Sequence, residues 1–429
     1  MQRALPRTEA IIGGMLVVDE AFFRSRLGDL FAYSILPYME GTGTLRIAGN
    51  SYECEWALNV SPQGQPLLTL TTGEYARTLF ADSGQPFPQT ILEGLTSDGD
   101  WRLAASNLRT SRSTLDSDLR FFYVCRPRDV MLSSISADGA QPDRIRALLT
   151  NFKFDGLEVS KYENRWALDR FTIPIAGNVA EFRPLNRQDE LLELIGNGRL
   201  DRAILSTLSL STAHAGLASA EALVSTLCSM ATFACFSMVN DPVTEYYAGE
   251  TLTRIVVRDL ISSRYNPAVV IDNFYVDKGL RIYLEECLAK FSELDATMDL
   301  RRLIRGCIGM TEGAFTENKV AGLIMSLEYL VTKQLKELQA RFSEDDSIES
   351  KIGNLDKYVR FIPKDCRGGD LRRLARNPLF HTGEALITDS LDFYRLYSKY
   401  TDLLIRLVLR ALGYKGKFIS RLTWEPVDV

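Results

Sequence analysis

The chain has 429 residues, of which 46% are hydrophobic and 24% are charged, and its formal net charge is −5. This length indicates two or three domains, and the composition is ordinary for a soluble globular protein. The negative net charge excludes attraction of nucleic acid by the molecule as a whole, so any nucleic-acid site must be a local basic patch.

Cysteine and histidine are too scattered along the chain for a zinc framework. The seven cysteines never form a Cys-x-x-Cys pair, and only two histidines occur, His214 and His381. We therefore expect buried free thiols in a cytoplasmic protein. The N-terminal residues lack the layout of a signal peptide. No P-loop, Rossmann fingerprint or G-x-S-x-G motif is present, and we expect neither a metal nor a cofactor.

Residues 1–185 have the pattern of an antiparallel β-rich domain. In SYECEWALNV (51–60), apolar residues from Tyr52 to Val60 occupy every second position, which is the period of a half-buried strand. A turn at Gly49-Asn50 between two alternating runs predicts a hairpin. Turn-forming clusters separate the other strands, as in a sandwich or barrel-like domain. Those strands are predicted at Leu67–Thr71, Trp101–Ala105, Leu119–Cys125 and Arg165–Pro174.

Residues 186–280 are predicted to form a mixed α/β connecting region. The segments 187–208 and 217–239 have helical patterns, whereas 250–261 and 267–276 have the composition of strands. The segment 217–239 is long enough to cross a bilayer, but it contains Glu221 and lacks flanking basic or aromatic anchors. We expect it to be a buried helix and expect no membrane association.

Residues 281–429 are predicted to form an all-helical bundle. Apolar residues recur three or four positions apart from Val320 to Leu338, which is a continuous helical stripe. Further helices are predicted at 348–361 and 390–412, the latter with Ser390 as its N-cap and Gly413 as its C-terminal stop. The expected fold class is thus α+β multidomain, with a β-rich domain, a mixed region and a helical bundle in chain order.

The stretch RLARNPLFHTGE (373–384) predicts a break between two helices. Pro378 is unfavourable inside a helix and moves Asn377 out of the α region. One helix would end near Arg376, and the next would begin with Asn377 as N-cap and Pro378 in the first turn. His381 then lies one turn inside the second helix. The positive N-terminal end of this second helix and the Arg376 guanidinium would converge on one place that suits a phosphate.

One arginine and one histidine suit the cleavage of RNA without a metal. Histidine has the pKa for taking a proton from a ribose 2′-OH and for delivering one to the leaving 5′ oxygen. Arginine is a fixed cation that stabilises the phosphorane between these steps. One arginine and one histidine are too few groups for a complete site, so two copies in a symmetric dimer would supply two of each.

The sequence from Arg376 to His381 resembles the R-x4-6-H motif of HEPN-domain ribonucleases, including the polar residue after the arginine. The helices at 299–313, 326–333 and 391–412 are similar to the core helices of that fold. The order of a long N-terminal region, a mixed region and this bundle resembles the ApeA group of bacterial anti-phage proteins. The HEPN resemblance covers about a third of the chain, and the ApeA resemblance concerns overall layout.

The resemblance implies a homodimer whose paired motifs line a cleft. Cleavage would need no metal and would leave a 2′,3′-cyclic phosphate and a 5′-OH. The expected role is abortive infection, with tRNA or another RNA of host translation as the target. Arg376 would stabilise the phosphate, His381 would act as general acid or base, and Asn377 would cap and orient. Architecture alone suggests that the N-terminal domain senses a phage-derived trigger.

For several other residues, and for the bundle as a whole, the sequence leaves two roles open. Glu328 either is a solvated side chain or holds Arg376 in place. His214 is expected to be structural or exposed. The alternative for the whole bundle is a catalytically inactive HEPN module that binds nucleotide or RNA or mediates dimerisation, within a defence or toxin–antitoxin system. Four basic residues before the motif are either a solvated stretch or phosphate-positioning groups: Lys364, Arg367, Arg372 and Arg373.

Overall fold

The computed structural model describes most of the chain, with gaps. The described residues are 11–12, 15–16, 35–36, 39–73, 90–115, 120–154, 156, 158–162, 165–175, 177–212, 216–272, 279–311, 316–366, 371 and 389–429. They divide into two compact units. Unit 1 comprises Met1–Thr150, Leu185–Val224 and Asp241–Ile261, and unit 2 comprises Asn151–Pro184, Ser225–Asn240 and Ser262–Val429.

Strands dominate the first part of the chain and helices the last part, so the predicted α+β class and its large N-terminal antiparallel sheet are confirmed. The strands are β1 (Ile11–Ile12), β2 (Met15–Leu16), β3 (Met39–Ile47), β4 (Asn50–Val60), β5 (Pro66–Thr72), β6 (Thr90–Thr96), β7 (Trp101–Ser106), β8 (Arg109–Leu115), β9 (Phe121–Arg126), β10 (Asp129–Ser134), β11 (Arg144–Thr150), β12 (Glu158–Tyr162), β13 (Arg165–Ile175), β14 (Asn178–Pro184), β15 (Ile204–Ser211), β16 (Val243–Ala248), β17 (Thr251–Arg258), β18 (Lys417–Ile419) and β19 (Pro426–Asp428). The helices are α1 (Gln188–Gly196), α2 (Leu217–Cys235), α3 (Gly279–Met298), α4 (Leu300–Thr311), α5 (Thr316–Glu337), α6 (Ile348–Val359) and α7 (Ser390–Ala411).

Unit 1 is organised around an antiparallel sheet. Its strands follow the order β15-β11-β16-β17-β10-β7-β6-β3-β4-β5-β9-β8. The core lies against strands such as β4, whose residues Trp56, Leu58 and Val60 are all at most 2% exposed. The face predicted from alternation is therefore the buried one. The Trp56 indole donates to the carbonyl of Thr42 at 3.1 Å, and a Cβ on Gly94 would lie only 2.4 Å from that indole nitrogen.

The predicted hairpin joins β3 to β4, with its turn one residue earlier than expected. Ile47 pairs with Asn50, so Ala48 and Gly49 form the turn, with φ of 48° and 87°. Two positive φ values are the signature of a type I′ turn, whose twist matches that of the flanking strands. Asn50 is the first residue of β4 and not a turn residue, because the twist of the strands fixes the loop length.

The predicted strands at Leu67–Thr71, Trp101–Ala105 and Arg165–Pro174 are confirmed within β5, β7 and β13, and the one at Leu119–Cys125 is confirmed from Phe121 onward as β9. In unit 2, β12, β13 and β14 pair antiparallel in that order.

Two predictions in the region 186–280 are wrong. The helix expected over 187–208 ends at Gly196, and residues 204–211 form β15. Gly198, with φ of 75°, lies in the reversal between them. The strand expected over 267–276 is absent from the described part, 267–272. There the Val270 N–H donates to the carbonyl of Ala234 at 2.7 Å, and the Val270 carbonyl accepts from Ile419. A buried apolar run is thus compatible with irregular backbone when other elements satisfy its polar groups.

In unit 2, the helices α4, α6 and α7 each pack against α5. The predicted stripe of α5 is buried from Val320 to Leu335, whereas Leu338 lies past the end of the helix and is 44% exposed. Burial of this apolar stripe, rather than helix propensity, supplies most of the stability of such a helix.

The ends of α7 agree in part with the prediction. Asp389, not Ser390, is the N-cap, because its carboxylate accepts from the N–H groups of Leu391 at 2.8 Å and Asp392 at 3.0 Å. Both residue types are good caps, and the side chain that reaches the second and third N–H groups prevails. Gly413 has φ of 76°, as the predicted helix stop requires.

The apolar segment Leu217–Cys235 is a helix whose length and composition would allow it to cross a membrane, and 61% of its 18-residue apolar window is buried inside the protein. This burial agrees with the prediction of a core helix. The seven cysteines are free thiols, and all of them except Cys307 are buried. The predicted buried thiols are therefore confirmed for six positions.

Candidate functional site

The predicted catalytic residues lie outside the described residues. This holds for Arg376, Asn377 and His381, for the helix break expected at Asn377-Pro378, and for the basic residues Arg367, Arg372 and Arg373. His214 also lies outside them. In chain order the motif follows α6 and precedes α7. The structure therefore describes the helices that flank the motif and leaves the expected arrangement of the motif itself as a prediction.

Lys364 is the predicted phosphate-binding residue that the structure describes. It begins a short 3₁₀-helix, Lys364–Cys366, and it is exposed. Cys366, two residues later, is 2% exposed and anchors this turn in the protein. An exposed ammonium on an anchored turn suits a contact with a phosphate chain, and it equally suits a solvated surface.

Glu328 on α5 is neither simply solvated nor isolated. Its carboxylate accepts a hydrogen bond from the ammonium of Lys351 on α6 at 3.4 Å. The Lys351 side chain is only 4% exposed and also donates to the carbonyl of Glu344 at 2.7 Å. Because a buried ammonium needs such partners, the Glu328 carboxylate has a structural task in joining α5 to α6. The proposed support of Arg376 by Glu328 stays a prediction.

A cavity of about 350 Å³ opens beside this ion pair. Its wall has alternating charges: Lys336 pairs with Glu344 at 2.5 Å, and the Lys333 ammonium lies 5.5 Å from the centre of the Tyr329 ring. Because Lys336 and Lys351 are each paired with a carboxylate, most of the positive charge at this wall is already compensated.

A comparison of the chain with family models, with curated proteins and with solved structures finds no match in any of the three.

A larger cavity, of about 540 Å³, lies in unit 2 and was not predicted from the sequence. We call it the Arg421 cavity. One face of α7 contributes four of its lining residues at positions i, i+3, i+4 and i+7: Tyr394, Tyr397, Ser398 and Thr401. The turn after β18 contributes Arg421 and Trp424. The helical spacing of polar and aromatic residues on α7 is a sequence signal that could have indicated this face.

Arg421 is held rigidly at the wall of the Arg421 cavity. The residue is 6% exposed, its Nη2 donates to the carbonyl of Ala268 at 2.7 Å, and its backbone N–H donates to Asp402 Oδ1 at 2.6 Å. The guanidinium lies 4.7 Å from the centre of the Phe236 ring and 5.7 Å from that of Trp424. Its Nε donor has no partner among the described residues.

Burial controls the electrostatics of this wall. It lowers the pKa of the Arg421 guanidinium to about 10, although the nearby groups of Tyr397, Asp402 and Tyr394 favour the charged form. Burial also raises the pKa of the Tyr397 phenol, which is therefore neutral at physiological pH. The arginine charge is thus only partly compensated by its surroundings.

Proposed function

We propose that the protein is a metal-independent endoribonuclease of the HEPN type that acts in anti-phage defence by abortive infection. Arg376 is the phosphate stabiliser, His381 the general acid or base, and Asn377 the residue that caps and orients. The RNA target is one of host translation, with tRNA as the first candidate. The active form is a homodimer in the cytoplasm, and catalysis requires no cofactor.

The observation that carries the proposal is the R-N-x-x-x-H sequence at 376–381, which lies between α6 and α7 of unit 2 in chain order. The packing of α4, α6 and α7 around α5 supports it, because an assembly of this kind offers rigid helices on both sides of the motif. The scarcity of histidine supports it further, since His381 is one of only two in the chain.

The chemistry follows from the side chains. Attack of a ribose 2′-OH on the adjacent phosphate needs a base at the 2′ oxygen and an acid at the leaving 5′ oxygen, and two histidines from two protomers supply both. The arginines stabilise the charge that develops on the phosphate oxygens. The exposed Lys364 would position the RNA backbone without reading its sequence, as would Arg367, Arg372 and Arg373.

The test is cleavage of total RNA and purified tRNA in the presence of EDTA. Wild-type protein is expected to cut, and Arg376→Ala and His381→Ala are each expected to reduce the rate by at least about 100-fold, the scale of general acid–base catalysis. His214→Ala is the matched control, because it removes the other histidine. RNA binding without cleavage by the wild type would favour the alternative, an inactive HEPN module that binds RNA or nucleotide or mediates dimerisation.

We further propose that the N-terminal β-rich region receives a phage-derived trigger. Its support is the architecture alone, a large N-terminal sheet and a helix-rich C-terminal part in one chain. The test uses the whole protein: lysate of phage-infected cells should raise the rate of RNA cleavage, whereas lysate of uninfected cells should not. Equal rates with both lysates would contradict a sensing role.

A further inference from the structure

Two residues that line the Arg421 cavity carry polar groups that have no hydrogen-bond partner among the described residues. The Nε of Arg421 and the hydroxyl of Ser398 are buried without partners among the described residues, and the two residues are 6% and 1% exposed. An unsatisfied buried donor costs about 1–3 kcal/mol, and more when it belongs to a charged group. Lining residues that carry such groups indicate a ligand that accepts hydrogen bonds.

The charge of the cavity wall selects an anion. Arg264, Lys319 and Arg421 all line it, and none of its lining residues within the described part of the chain is acidic. The carboxylate of Asp402 accepts from the backbone N–H of Arg421 at 2.6 Å and from the hydroxyl of Ser420 at 2.5 Å. The Nε donor of the guanidinium has no partner among the described residues and is left for a phosphate or carboxylate group of a ligand.

Aromatic side chains at the same cavity select a flat group next to the anion. Trp424 is 54% exposed and Tyr394 is 42% exposed, although both are large and apolar enough to be buried. Exposed aromatic rings beside a fixed cation are the usual surface on which a nucleobase stacks. The volume of about 540 Å³ lies within the range of small-molecule sites.

We propose that the Arg421 cavity binds a mononucleotide, with its phosphate at Arg421 and Ser398 and its base against Trp424. The proposed site does not include Arg376 or His381, and its existence does not depend on RNA cleavage. The cavity recognises both the phosphate and the base of the ligand. Phosphate alone or nucleoside alone should therefore bind more weakly than the whole nucleotide.

The experiment measures binding to the full chain by calorimetry and by tryptophan fluorescence. The ligands are AMP, GMP, CMP and UMP, with adenosine and inorganic phosphate as fragments. We expect one nucleotide to bind per chain and to quench the emission of Trp424, and each fragment to bind at least about 10-fold more weakly. Trp424→Ala is expected to weaken binding by about 5- to 150-fold, the range of base–aromatic stacking.

Two further variants, at side chains that are not fully buried, separate a loss of binding from a loss of folding. Lys319→Ala removes a partly exposed cation at the cavity wall and should weaken the binding of nucleotide and of phosphate alike. Leu422→Ala changes an exposed side chain of the same turn that does not line the cavity, and should bind like wild type. Absence of nucleotide binding at millimolar concentrations would overturn the proposal, as would affinity unchanged in Trp424→Ala. Phosphate that binds as tightly as nucleotide would overturn the assignment of the ligand class.

The two proposals can fail separately. Arg376→Ala and His381→Ala should bind the nucleotide with wild-type affinity, because neither residue belongs to the Arg421 cavity as proposed. Loss of nucleotide binding in both of these variants would place the ligand at the cleavage motif and overturn the cavity assignment.

Discussion

The buried ammonium of Lys351 on α6 lies 3.4 Å from the carboxylate of Glu328 on α5, and this ion pair joins two helices of unit 2. Glu328→Gln leaves the ammonium buried without its counter-charge, whereas Lys351→Met leaves a carboxylate that is already 27% exposed. We expect Glu328→Gln to lower the free energy of unfolding by about 1–3 kcal/mol and Lys351→Met to lower it by less. Urea unfolding measures both, with the exposed Glu337→Gln on α5 as control.

RNA cleavage by the same two variants separates the two roles considered for Glu328. If the Glu328 carboxylate also orients Arg376, Glu328→Gln should reduce the cleavage rate of folded protein by about 10-fold or more, while Lys351→Met should leave it near the wild-type rate. Equal rates in the two variants would limit Glu328 to its structural pairing with Lys351. The assay is run below the unfolding temperature of both proteins.

Ala48 in the β3–β4 turn has φ of 48°, a conformation that is strained for any residue with a Cβ. We expect Ala48→Gly to raise the free energy of unfolding by up to about 1 kcal/mol, because glycine adopts this φ without the steric penalty. Gly49→Ala should have the opposite effect, since Gly49 has φ of 87° although the space around its Cβ position is open. Thermal unfolding of the two variants tests this; a shift of the melting temperature in the same direction would refute it.

Burial raises the pKa of the Cys125 thiol to about 12, although a hydrogen bond with Thr110 acts in the other direction. In the unfolded chain such a thiol ionises near pH 8.5. The folded state therefore retains a proton that the unfolded state loses. Its contribution to stability is complete below about pH 8.5 and declines as the pH rises toward 12.

Cys125→Ala removes this titration. The stability advantage of the wild type over Cys125→Ala should shrink above about pH 9, by at most about 1.4 kcal/mol for each pH unit. Urea unfolding at several pH values measures the difference. Val124→Ala alters a buried neighbour that does not titrate, and its difference from the wild type should be independent of pH. A constant difference for Cys125→Ala would contradict the raised pKa.

Local patterns predicted much of the secondary structure. Alternation marked the buried face of β4, and the apolar stripe from Val320 marked α5, because each reflects burial of one face of one element. The helix expected to continue through 204–208 failed because Ile204–Ser211 pairs with β11 in a sheet, and this distant partner outweighs the local helical pattern. The strand expected over 267–276 failed for a related reason. The hydrogen bonds of its described part, 267–272, go to Ala234 and Ile419, which are distant in the chain.

The order of the strands and the Arg421 cavity could not be predicted from the sequence. The sheet places β10 between β7 and β17, and β17 lies more than a hundred residues later in the chain. The Arg421 cavity combines α7 with a turn after β18 and with the loop that contains Ser263, so it exists only once these segments are packed. The R-N-x-x-x-H motif, by contrast, is local in sequence, which is why it could be identified without a fold.

The chemistry of the RNA ends tests the central claim most directly. Purified tRNA is incubated with wild-type protein in EDTA, and the new termini are identified by mass spectrometry. We predict 2′,3′-cyclic phosphate and 5′-OH termini that appear with wild type and with His214→Ala and are lost with His381→Ala. Termini with a 3′-OH and a 5′-phosphate, or cleavage that persists in His381→Ala, would contradict it.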